Sequence, residues 1–208
     1  GQVLTYNGSA WVNATPSGGS GGSGLYPLNP PPSLSSWTWL NQGTATGQDV
    51  QGGVSLRTRA AAWSCLMQAV PSPPWTVSAA LLPVLVGGYA QTGIVLSSTD
   101  SGRLLTFVCS RGNGGMIEVG QWHSPTTFSS APRQMTGIGV ATPTWLQLTD
   151  DGAEHRMCIS ADGQYWEEVY RQSRTAWLNP TSIGWGVNVA DGGQLVLSTL
   201  VSWNVSSS

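Results

Sequence analysis

Trp145-Leu-Gln-Leu-Thr-Asp-Asp-Gly152 is followed by Glu154-His-Arg-Met-Cys-Ile-Ser-Ala-Asp-Gly-Gln-Tyr-Trp166 and then by Glu167-Glu-Val-Tyr-Arg171. Apolar and polar residues alternate through each piece, as they do in half-buried strands. Asp151-Gly152 and Asp162-Gly163 separate the pieces, and Asp-Gly between alternating runs is a hairpin signal. The same grammar extends in both directions. Downstream lie SIGWGVNVA (182–190) and QLVLSTLVSWNV (194–205); upstream lie WTVSAALLPVLV (75–86), GIVLSS (93–98), RLLTFVCS (103–110) and MIEVGQW (116–122). Many short strands with turn signals every 8–12 residues or so predict an all-β antiparallel sandwich. No amphipathic helix of useful length is expected; residues 60–68, the nearest candidate, also read as a strand.

The alternation assigns faces. In the last strand Leu195, Leu197, Thr199, Val201 and Trp203 share one face, with Ser198 and Ser202 on the other. In residues 182–190, Ile183, Trp185, Val187 and Val189 share a face, and Gly184, Gly186 and Asn188 take the opposite one. A glycine-lined strand face lets another backbone or a ligand come close.

Composition supports strands. The chain has 208 residues, of which 9% are charged, with 27 glycines, 13 prolines and 11 tryptophans. Ordinary globular proteins carry about 25% charged residues. All eight basic residues are arginine, and the net charge is −2. A chain so neutral offers no electrostatic footprint for nucleic acid. Its longest apolar run, 79–86, is interrupted by Pro83 and too short to span a bilayer as a helix, so no membrane insertion is expected. Cys65, Cys109 and Cys158 show no C-x-x-C spacing and each sits in an apolar run, where cysteine acts as a small hydrophobe.

Three zones divide the chain. Residues 1–16, GQVLTYNGSAWVNATP, read as a β-hairpin around Asn7-Gly8. Two short strands do not stand alone in water, so this piece packs on the main domain or on copies of itself. Residues 17–33 form a Gly/Ser-rich and then Pro-rich linker. Residues 34–208 form the sandwich.

The order W-L-x-L…D-G (145–152), S-x-D-G-x-x-W (160–166), I-G-x-x-V (183–187) and a closing W-x-V (203–205) resembles the concanavalin A-like jelly rolls, the lectin and glucanase superfamily. The resemblance implies that Trp145, Trp166 and Trp203 are structural, with Trp166 folding onto the sheet edge. Residues 1–16 are similar to G-Q-V-L-x-Y-N-G-x-A-W-x-N units of bacteriophage tail fibres and other virion appendages. That likeness implies a homotrimer on the virion surface, joined to other virion proteins through its N-terminus and holding a host-surface polysaccharide with its tip.

Chemistry of other kinds finds little support. The E-x-D-x-x-E pattern of the superfamily's glucanases is missing: none of Glu118, Glu154, Glu167 and Glu168 has Asp two residues on. Glu167 and Glu168 are neighbours on a strand and face opposite ways. His155 with Asp150 or Asp151 lacks a G-x-S-x-G nucleophile. The chain is therefore expected not to be an enzyme. No cofactor is expected; Asp100, Asp150, Asp151 and Asp191 sit in oxygen-rich loops that suit calcium, and turn formation explains each equally. Sugars stack on aromatic rings and bond to amides and arginine. After core positions are set aside, Trp63, Trp75, Trp122 and Trp177 remain as platforms. The expected ligand site combines Trp122, His123 and Trp177 with Arg111 and Asn113 from the glycine loop 111–115.

Overall fold

The structure, a computed structural model, describes residues 3–6, 11–14, 28–137, 143–190 and 194–207. Near the N-terminus β1 (Val3–Tyr6) pairs antiparallel with β2 (Trp11–Ala14), in the register Val3 to Ala14. Asn7-Gly8 itself lies outside the described residues.

The remaining strands build two seven-stranded sheets. In chain order they are β3 (Thr38–Leu40), β4 (Thr46–Val50), β5 (Gly53–Thr58), β6 (Ser64–Ala69), β7 (Trp75–Val86), β8 (Ala90–Ser97) and β9 (Leu104–Ser110). There follow β10 (Met116–Ser124), β11 (Thr127–Thr136), β12 (Thr144–Asp150), β13 (Glu154–Ser160), β14 (Glu167–Ser173), β15 (Ser182–Val189) and β16 (Leu195–Ser207). The first sheet runs β11-β10-β9-β8-β15-β6-β3 and the second β14-β13-β12-β7-β16-β5-β4. Every pairing is antiparallel. The only helical pieces among the described residues are single 3-10 turns at Leu34–Ser36 and Gly112–Gly114. The sandwich expected from the alternation is the observed fold.

The core lies between the sheets. Ile94, Leu96, Leu105, Phe107 and Trp185 of the first sheet meet Leu56, Val77, Leu81, Leu146, Leu148 and Leu200 of the second. Burying each large side chain contributes about 1.5–3 kcal/mol. Asn29 already belongs to this body: its N–H donates to Ser202 Oγ and its carbonyl accepts from the Trp203 N–H.

The last strand departs from a simple two-fold alternation. Leu195, Leu197 and Thr199 do share a face, but it is the outward one, while Val196, Ser198 and Leu200 are buried. A register shift between Leu200 and Ser202 then turns Trp203 into the core. A bulge inserts one residue, and every side chain beyond it changes face. The three cysteines are free; Cys65 and Cys109 are buried and Cys158 is half-buried.

Candidate functional site

The outward face of the first sheet carries a polar ribbon. Asn188 on β15 donates through Nδ2 to Gln91 Oε1 on β8 at 2.9 Å. Gln91 Nε2 reaches across β9 and donates to Glu118 Oε1 on β10 at 2.8 Å. On the neighbouring β11, Gln134 Nε2 donates to Glu118 Oε2 at 2.7 Å. The ribbon crosses five adjacent strands, about 19 Å at the usual strand spacing of ~4.8 Å. Asn188, Gln91 and Glu118 are 1%, 3% and 3% exposed, whereas Gln134 is exposed. Burial holds the Glu118 carboxyl above the ordinary carboxylate range, against the pull of its two amide donors.

Local sequence explains how these groups come to lie together. Asn188 pairs directly with Gln91 in the β15–β8 register, and Glu118 with Gln134 in β10–β11. Two residues along from Asn188 and Gln91, Gly186 faces Gly93. A Cβ on Gly93 would strike the Phe107 carbonyl, and one on Gly186 would stand 2.6 Å from Cys65 Sγ. Both glycines are buried, and neighbouring groups, Val108 and Cys65 among them, fill the space where a side chain would stand.

Aromatic groups flank the ribbon. Tyr89, 41% exposed, stands against Gly112 near Met116. At the other end Trp122 lies along Gly120, with Phe128 edge-on at 5.1 Å and Trp63 at 5.9 Å. Phe128 is 49% exposed. Trp122, Trp63, Cys65, Met67, Val95, Leu104 and Val108 form a second apolar cluster on this face. Further along the face a groove of about 290 Å³ has hydroxyls of Thr38, Ser97, Thr99 and Ser182 in its lining. Aromatics around a few fixed polar groups are the usual make-up of a small-molecule site.

The five residues expected to form the site do not share one face. Trp122 and His123 are strand neighbours and point to opposite sides. Trp122 is only 6% exposed, and Trp63 and Trp75 are more deeply buried still. His123, exposed, does meet half-buried Trp177, with ring centres 5.3 Å apart. Trp177 is fixed by its indole N–H to the Leu104 carbonyl at 2.8 Å, and the Arg103 guanidinium covers its ring at 4.6 Å. Arg111 sits beyond the opposite end of β9, about 20 Å from Trp122 by strand rise, and its guanidinium donates to the Leu85 carbonyl of the second sheet. Asn113 lies in the Gly112–Gly114 turn, its side chain outside the described residues.

The ribbon itself was missed from sequence because its members come from four strands. Two signals pointed to it: a glutamate inside the apolar run MIEVG, and Asn188 on the glycine-lined face of β15.

Two of the loop aspartates, Asp150 and Asp151, work as turn formers. Asp151 accepts the N–H groups of Ala153 and Glu154 and pairs with Arg156. Asp150 is fully buried, accepting from the Gly152 N–H and from Arg174 Nε at 2.8 Å. Asp100 is exposed, and Asp191 lies outside the described residues. Among the described residues no three His, Cys, Asp or Glu side chains gather where they could hold a metal ion.

No protein-family profile and no curated protein sequence matches the chain. Solved structures do. A protein of unknown function from Saccharomyces cerevisiae aligns with TM-score 0.68 at 19% identity, over 85% of this chain and 99% of that one. The carbohydrate-binding module CBM66 from Bacillus subtilis aligns with TM-score 0.58 at 14% identity, over 88% and 98%. BlXynB from Bacillus licheniformis, a protein of the glycoside hydrolase family GH43, aligns with TM-score 0.63 at 15% identity, over 86% of this chain but 36% of that one. These identities establish likeness of fold, and the chain spans about a third of the GH43 protein's length. The expectation that the chain is not an enzyme is overturned here. This fold also occurs in glycoside hydrolases, so the missing E-x-D-x-x-E removes one route to glycosidic cleavage and no more. The chain has a β-sandwich fold that also occurs in a carbohydrate-binding module and in parts of GH43 glycoside hydrolases.

Proposed function

We propose that the chain binds carbohydrate on the outward face of its first sheet, as the host-attachment tip of a phage virion appendage. The observation that carries the binding reading is the ribbon Asn188–Gln91–Glu118–Gln134. Three of its members are buried and hold the fourth: the exposed Gln134 amide is positioned by Glu118, so it loses little freedom when it meets a ligand's hydroxyls. Exposed Tyr89 and Phe128 supply ring faces on either side. The likeness to CBM66 supports a sugar as ligand. The appendage reading is supported by residues 1–16, whose sequence is similar to virion-appendage units and whose two strands pair as a hairpin. Three copies on a virion would multiply a weak single site by avidity.

Incubation with a panel of bacterial surface polysaccharides tests this. Saturable retention is expected, and Tyr89→Ala, Phe128→Ala and Gln134→Ala are expected to weaken it with no more than a small fall in melting temperature. Retention unchanged in all three variants would refute the site.

Cleavage of the bound glycan is the second reading. The observation that favours it is the likeness of fold to parts of GH43 glycoside hydrolases, with Glu118 the carboxyl among the ribbon's amides. Release of reducing sugar in the same incubation, lost in Glu118→Gln, would establish it.

A further inference from the structure

On the opposite side of the molecule from the ribbon, the outward face of the second sheet carries an aliphatic strip. The strand β7 outruns its neighbour β12, which begins at Thr144 opposite Leu81. Beyond that point the outward residues Leu82, Val84 and Val86 are exposed. On the adjacent β16, Leu195 lies across from Val86 and Leu197 across from Val84; Leu197 is exposed and Leu195 half-buried. Single exposed aliphatic residues are ordinary, whereas a continuous strip marks a contact surface. The strip holds no charge of its own; the nearest cross-strand ion is Arg57, opposite Leu197 on β5.

The free edge of β7 is closed to an added strand. Pro83 has no N–H to donate, and the Arg111 guanidinium already donates to the Leu85 carbonyl at 3.0 Å. A partner therefore meets the strip face-on.

The chain holds a segment of matching size and character. The strip is two paired strands of five residues, 82–86 and 195–199. β1 and β2 are two paired strands of four residues, about 13 Å long at strand rise. Six of the eight residues in VLTY and WVNA are apolar or aromatic, and residues 1–16 contain no charged side chain. Bringing the two together thus strips water from no ion in either surface. A hairpin of two short strands also needs such a surface, because it is not stable alone in water.

The tether is long enough. Asn29 lies beside β16, its N–H on Ser202 Oγ and its carbonyl on the Trp203 N–H. From Trp203 to Leu197 is about 20 Å at strand rise. The thirteen residues 15–27 that join the hairpin to Leu28 span at most about 45 Å. A tether of that reach holds the hairpin at high local concentration over its own strip, ahead of any other copy.

We propose that the hairpin β1–β2 docks face-on over the strip of Leu82, Val84, Val86, Leu195 and Leu197 of its own chain, as a third layer on the sandwich. The docking does not depend on glycan binding, and it leaves the outward face of the first sheet open to ligand.

Hydrogen exchange on the full chain tests this. The amides of residues 3–6 and 11–14 are expected to be protected, and to stay equally protected on dilution. Val84→Asp/Leu197→Asp is expected to speed their exchange about tenfold or more, while the amides of β12 and β13 exchange as in the parent. Val84→Ser/Leu197→Ser is expected to act in the same direction and serves where the Asp pair lowers the melting temperature. Arg133→Ala, on the edge strand β11 of the first sheet, is expected to leave the hairpin protected. The proposal falls if the hairpin amides of the parent exchange as freely as in an unfolded chain, or if both double variants melt normally with protection unchanged. It also falls if protection is lost on dilution, which would place the hairpin on a neighbouring copy. Polysaccharide retention by the double variants is expected to match the parent's, so failure of the first-sheet site and failure of this docking are told apart.

Discussion

Gly163 lies flat against the indole of Trp145: a Cβ placed on it would stand 2.9 Å from the ring. The glycine also has φ of +74°, a region that L-residues with side chains rarely adopt. Asp162 fixes the turn by accepting the N–H groups of Gln164 and Tyr165, and Ser160 accepts the Gly163 N–H. Trp166 then comes edge-on to Trp145 at 6.4 Å. Gly163→Ala therefore meets both a strained backbone and an indole in its way. It is expected to cost about 2 kcal/mol or more, read as a lower midpoint in denaturant. Unchanged stability would mean that Trp145 moves aside freely.

That motif shows what was legible in the sequence and why. Asp162, Gly163 and Trp166 act within one hairpin, so spacing along the chain is also proximity in space. The same holds for β7, β12 and β13, whose apolar runs match the observed strands. β11 was missed, since Thr127–Thr136 contains Pro132 and is mostly exposed; an edge strand tolerates a proline that a central one cannot. The polar ribbon was hidden for a different reason. Asn188 and Glu118 are 70 positions apart in number, and only sheet order places β15, β8 and β10 near one another. Single strands tell which face a residue takes; they do not tell which strand lies beside it.

Asp150 has no solvent exposure, and Arg174 is its cationic partner. Arg174→Ala leaves that carboxylate with the Gly152 N–H and with His155, whose Nε2 is 3.4 Å away. Breaking a buried pair from one side costs about 3 kcal/mol. Arg174 also holds the His155 pKa down by its charge. In the variant His155 gains a proton more readily and takes over part of the pairing. The loss measured by denaturant titration is thus expected to be larger at alkaline than at mildly acidic pH. An equal loss at both would show that His155 does not answer to Asp150.

Glu118 and His155 pull the pH dependence of stability in opposite directions. Burial raises the native pKa of Glu118 above 4.5, so the native state holds that proton more tightly than the unfolded chain. Its contribution is complete below 4.5 and is lost as pH rises through the raised native value. Burial lowers the native pKa of His155 below 6.5, so its contribution is complete above 6.5 and is lost as pH falls through the depressed native value. Glu118→Gln keeps the shape of the protonated acid and cannot ionise. Relative to the parent, this variant is expected to gain in melting temperature as pH rises from 4.5, its largest advantage lying at neutral pH. Parallel profiles for the two proteins would contradict the raised pKa.

Trp122 and Phe128 touch, yet removing each tests a different thing. Trp122 is packed under Phe128 and against Trp63, within the cluster that includes Leu104 and Val108. Its truncation to Ala opens a cavity on a face with few atoms to refill it, at a cost of about 3–5 kcal/mol. Any loss of glycan retention in Trp122→Ala would then report unfolding as much as binding. Phe128 keeps half its surface in solvent and pairs with Trp122 across the β10–β11 hairpin. Phe128→Ala removes a ring face that a sugar can reach and is expected to cost about 1 kcal/mol or less, the scale of one exposed aromatic pair. A small stability loss with a large fall in retention would make Phe128 a binding residue. The reverse, a large stability loss with retention preserved at low temperature, would make it a cover for Trp122 and leave Tyr89 as the exposed ring beside the ribbon.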